Sequence, residues 1–166
     1  MNEQRLLRRR RGSEKIGLCA GILAATILMI ALPAFAGLGQ DVSSVQADQL
    51  HMQGSLRTTQ SQAYTVHEIR SATGVVVREY VSASGKVFAV AWQGPWLPDM
   101  RQVLATYFEQ YQQAAQTQLN SHAGRRPLLI QQPGLVVQSG GHMRSFAGRA
   151  YVPAMMPQAV SAEEIR

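Results

Sequence analysis

Two His-Met pairs, His51-Met52 and His142-Met143, are the residues best suited to holding an ion, because imidazole and thioether together favour Cu(I). The pairs are far apart in the sequence, neighbouring side chains on a strand diverge, and methionine commonly fills core space. Copper binding is therefore an alternative to a metal-free reading, and no cofactor is expected. A second constellation, Trp92-Gln93-Gly94-Pro95-Trp96, sets two indoles around a rigid turn, where they could plug a core or present a docking surface. Arg144 and Arg149 could pair on an anion only if a bulge at Gly148 brought them to one face. His67 and Glu68 are adjacent on an expected strand, so they point to opposite faces and cannot act as a simple acid and base. Ser139 and His142 flank two glycines without an orienting carboxylate, which suits a hairpin better than a nucleophile. No catalytic residue is assigned, although a small hydrolase built from His67, Glu79 or His142 stays open as an alternative.

The 166 residues are 46% hydrophobic and 16% charged, which suits a single ordinary domain. The net charge of +6 is concentrated at the start. Arg5, Arg8, Arg9, Arg10, Arg11 and Lys15 stand there against only Glu3 and Glu14, and the remaining chain has no basic run longer than Arg125-Arg126. That distribution argues against a nucleic-acid partner. An apolar stretch over residues 16–32 follows the basic segment, and Ala34-Phe35-Ala36 supplies small residues at a peptidase site, so residues 1–36 read as a secretory signal peptide cut between Ala36 and Gly37. Membrane contact is expected only through that segment. Cys19 lies inside it, so the mature chain is expected to lack cysteine and to depend on its core for stability.

Residues 37–62 are polar and turn-rich, with a short helix expected over 45–52, capped by Ser44 and ended by Gly54. Three strands separated by turns at 71–74 and 83–85 follow, forming an antiparallel meander. Both faces of the third, KVFAVAWQ, are apolar, so it belongs at the centre of the sheet, with its small Ala89 and Ala91 face open to a helix. Pro98-Asp99 opens that helix, and Met100, Val103, Leu104, Tyr107, Phe108 and Tyr111 form its apolar stripe. A loop at 120–126 leads to a short strand at 128–130 and a C-terminal hairpin turning at Gly140-Gly141. The expected fold is α+β: an antiparallel meander and C-terminal hairpin packed on one main amphipathic helix. One domain spans residues 63–160, with a tail at 161–166.

The segments Val66-His67-Glu68-Ile69, Arg78-Glu79-Tyr80-Val81, the run from Phe88 to Pro95, Pro98-Asp99, Tyr107-Phe108 and Gly141-His142-Met143-Arg144 resemble an uncharacterised exported family, domain of unknown function 2844. The resemblance covers nearly all of residues 37–166. It implies an envelope protein of Gram-negative bacteria with a leader and one small domain, and it supplies no activity or site. The expectation is a periplasmic or secreted, non-catalytic module that binds another exported or envelope protein, with Trp92, Trp96 and Arg144 as binding candidates. Its oligomeric state is left open. Intact-mass measurement after export should give a chain beginning at Gly37, and a mass retaining residues 1–36 would mark an uncleaved anchor instead.

Overall fold

The structure, a computed structural model, describes residues 37–121 and 127–166. The expected leader with Cys19, the expected cleavage residue Ala36, Arg125-Arg126 and most of the expected loop at 120–126 lie outside the described residues. A 3-10 turn at Val42–Ser44 leads into helix α1 (Val45–His51), and four strands follow: β1 (Ser55–Gln60), β2 (Tyr64–Arg70), β3 (Val76–Ser82) and β4 (Val87–Gly94). Helices α2 (Met100–Leu104) and α3 (Phe108–Ser121) separate these from β5 (Leu128–Gln132), β6 (Leu135–His142) and β7 (Ser145–Tyr151). The strands form one seven-stranded sheet in the order β1-β2-β3-β4-β7-β6-β5, with every neighbouring pair antiparallel. The α+β class, the meander, the short helix and the C-terminal hairpin all agree with the sequence. No helix among the described residues is long and apolar enough to cross a membrane.

Strand β4 is central, as its two apolar faces require. Val90 and Trp92 join Val77, Val81, Val137, Ala150, Val103, Leu104 and Leu38 in the core on the helix side. On the opposite side Phe88, Ala89 and Ala91 meet Tyr80, Val160 and Ile165. The cover over the small alanines is thus the C-terminal tail, where the sequence suggested a helix. Between Tyr80 and Val81 the β3–β4 register shifts, so Val81 pairs with Val87 and Tyr80 with Ala89, leaving Phe88 as the bulged residue. Phe88 then packs with Tyr64 and Tyr80, with ring centroids 5.7–6.2 Å apart.

Three further details depart from the sequence reading. The apolar stripe from Met100 to Tyr111 does not lie on one continuous helix. Asp99 does cap its start, Oδ1 accepting from the Arg101 and Gln102 amides at 2.9 and 3.4 Å. The helix then breaks at Ala105, whose φ of 46° and ψ of −118° suit glycine, before α3 begins. The polar stretch at 37–62 contributes a full edge strand, β1, and places Leu38 wholly inside the core. The last hairpin turns at Met143-Arg144 rather than at the glycines, because His142 pairs with Ser145 and Arg144 takes a φ of 63°.

Gly148 on β7 faces Trp92 on β4, and the indole lies directly on it: an added Cβ would overlap the ring and come within 2.7 Å of the Gln138 carbonyl. Gly148→Ala is expected to cost about 2 kcal/mol through overpacking. Gly140→Ala, where the nearest foreign atom would be 3.6 Å away on Pro127, should change stability far less. Urea unfolding of both variants checks the contrast.

Candidate functional site

The strand register decides which candidates can meet. Gly94 at the end of β4 pairs with Phe146, and only Ser145 separates Phe146 from the Met143-Arg144 turn. The Pro95-Trp96-Leu97 corner and the β6–β7 tip therefore occupy the same end of the sheet. At that end Trp96 is 55% exposed, Leu97 48% and Met143 87%, and Arg144 is exposed beside them. Pro95 packs against the Gly74 turn, at 3.6 Å from where a Cβ would stand, so the corner is backed by a second loop. Among the described residues the other exposed large apolar side chains, Val42, Leu50, Leu119 and Leu129, sit on separate elements.

Trp92 has a different place. It is buried on the helix side of the sheet, over Gly148, and its Nε1 has no hydrogen-bond partner. The two indoles of the Trp92 to Trp96 run are thus divided between a core plug and an exposed corner. Arg149 does not pair with Arg144, because β7 runs in regular register through Gly148. Its Nε donates to Gln138 Oε1 at 2.8 Å, and its Nη1 donates to the carbonyls of Ala162 and Ile165, the latter at 3.3 Å. Tyr80 donates to the Arg166 carbonyl at 2.8 Å and accepts from the Arg166 amide at 3.0 Å. These bonds strap the tail across the second face. Beside the strap an open groove of about 570 Å³ runs over β7 and β6, floored by Ala147 and Gly140 and walled by Leu129 and Ile165.

The two His-Met pairs are placed apart. Helix α1 packs against β2, with His51 exposed and Met52 packed on the core, whereas His142 and Met143 are exposed at the β6–β7 tip. Strands β3 and β4 lie between β2 and β7, so the pairs are separated by three strand spacings, about 14 Å. Among the described residues no group of three or more His, Cys, Asp or Glu side chains could hold a metal ion.

His67 and Glu68 do face opposite sides of the sheet. Glu68 pairs with Arg78 at 2.8 Å and Arg70 at 3.1 Å. His67, whose pKa burial lowers, bonds through Nδ1 to Thr58 Oγ1 at 3.1 Å and stands in register with Glu79. Glu79 is wholly buried and Asp48 of α1 is 3% exposed, and Gln102 Nε2 donates to Asp48 Oδ1. The sequence reading passed over Asp48 and Gln102. A signal did exist: Glu79 lies two residues from both Val77 and Val81 on one strand face, and Asp48 lies at helical spacing from Val45 and Met52. Ser139 sits inside β6 and His142 at its exposed end, so the two do not form a nucleophile and base.

Arg149→Met should loosen the tail and cost about 2 kcal/mol, the scale of a charged hydrogen-bond donor withdrawn from partly buried carbonyls. Limited proteolysis of the tail together with urea unfolding reads the loss.

No curated protein and no solved structure matches the chain. The family model described as "Protein of unknown function (DUF2844)" matches residues 34–165, nearly the whole region that the sheet, helices and tail occupy, and the chain therefore belongs to that family.

Proposed function

We propose that the protein is an exported, non-catalytic module that docks another exported or envelope protein through the end of the sheet bearing Trp96, Leu97, Met143 and Arg144. One observation carries the reading: two sequence-distant segments that end at the same edge of the sheet expose Trp96, Leu97, Met143 and Arg144. Contiguous exposed apolar surface on a small domain marks interaction sites, and Trp and Arg are the residues that most often dominate binding energy. The basic and apolar leader supports export to the periplasm or beyond. A hydrolase centred on Glu79 is less well supported, because a general base must reach its substrate and Glu79 has no exposed surface.

A photo-crosslinking residue at Trp96, introduced into the exported protein in its host, should capture one recurrent exported partner. The same probe at Ser84, in the turn at the other end of β3 and β4, should not. Trp96→Ala should weaken that complex by about 30-fold, the effect of losing a hot spot of about 2 kcal/mol. Equal capture from both positions, or none from Trp96, would remove the docking surface.

A further inference from the structure

Glu79 occupies the middle of β3 on the helix side, between Val77 and Val81, opposite His67 of β2 and Val90 of β4. It has no accessible surface, and neither carboxyl oxygen receives a hydrogen bond from any N–H or O–H donor. The acidic group that acts on it is the Asp48 carboxyl of α1, itself almost wholly buried. Gln102 on α2 approaches the same Asp48 with its amide. Two acidic groups thus neighbour each other inside the core, and among the described residues no lysine or arginine pairs with either.

The cationic and titratable groups around the pair confirm the imbalance. His51, one turn along α1 from Asp48, is exposed and attracts it only across the helix surface. His67 is held by Thr58, and burial disfavours its charged form. Arg101, beside Gln102, stacks over the Phe108 ring with its guanidinium 4.5 Å from the centroid. Two neighbouring bare carboxylates in such an interior repel each other and lack solvation, so one must keep a proton, as in paired-carboxyl sites generally.

We propose that Asp48 and Glu79 share one proton, with the Glu79 O–H donating to the Asp48 carboxylate, and that this bond is a latch that holds α1 on the sheet until hydroxide removes the proton to form water. The assignment of donor and acceptor follows the surroundings. Gln102 already donates to Asp48, favouring it as the charged member, whereas Glu79 has nothing else to stabilise a charge. Burial, and then the neighbouring Asp48, raise the Glu79 pKa well above its ordinary value, and burial raises that of Asp48 as well. The seven-residue α1 is too short to persist without docking, so loss of the bond releases it locally.

The sign follows from proton counting. The folded chain binds the proton more tightly than the unfolded chain, so the latch is at full strength below the ordinary glutamate range. It weakens as pH rises from there through the raised folded value, by up to tenfold per pH unit in the docking equilibrium. His67 has the opposite sign, its lowered pKa costing stability as pH falls. A comparison with Glu79→Gln separates the two, because His67 is common to both proteins.

The test is amide hydrogen exchange of residues 45–52 against pH, corrected for base catalysis, on protein purified after expression of the full chain. Wild-type protection should fall by up to tenfold per pH unit beyond the rest of the sheet. Glu79→Gln, which keeps a donor for Asp48 but cannot ionise, should remove that extra fall. Equal pH slopes in the two proteins would overturn the latch. Should the variant not fold, the Glu79 side-chain carbon signal in the wild type decides: titration above the ordinary glutamate range supports the shared proton, and titration within it contradicts it.

Discussion

A strand that is apolar on both faces needs two covers, and most of this architecture answers that requirement at β4. On one side Val90 and Trp92 demand a deep core, which α2, Leu38 and the inner face of β6 and β7 supply. The other side presents Phe88, Ala89 and Ala91, too small a surface to need a helix and too apolar to leave wet. The tail fills it, inserting Val160 and Ile165 while Arg149, Arg78 and Tyr80 satisfy its carbonyls. The bulge at Phe88 serves the same end, because it places Val87 with the helices and Phe88 with the two tyrosines. Gly148 completes the arrangement by leaving room for the Trp92 ring.

The parts of the fold that follow from side-chain alternation were legible in the sequence. Strands β2, β3 and β4, the turns at Gly74 and Gly85 and the Asp99 cap all announce themselves through period-two patterns, glycines or a capping carboxylate. What stayed hidden depends on long-range partners. Strand β1 contains only Leu56 as an apolar residue, since an edge strand facing solvent needs no more. Beyond Pro153 only Val160 and Ile165 are buried, and the bonds to Tyr80 and Arg149 tie that segment to the core. The break at Ala105 leaves no trace in a stripe that continues in phase on both sides of it. Glu79 was visible as a residue but not as a buried one, because its charge argues for solvent while the alternation of β3 sets it on the apolar face of Val77 and Val81.

The candidate site divides in the same way. Trp96 and Arg144 share one end of the sheet because the register of β4 against β7 aligns the corner with the hairpin tip, a relation no local pattern reveals. Trp92 parts from them because successive strand residues alternate faces and its own face is the deep one.

If this end of the sheet docks the partner, the hydrogen-exchange footprint of the complex should show added protection confined to residues 93–97 and 142–146. A footprint on the β1 edge, on α3 or over the groove beside the tail, with that end unchanged, would contradict it.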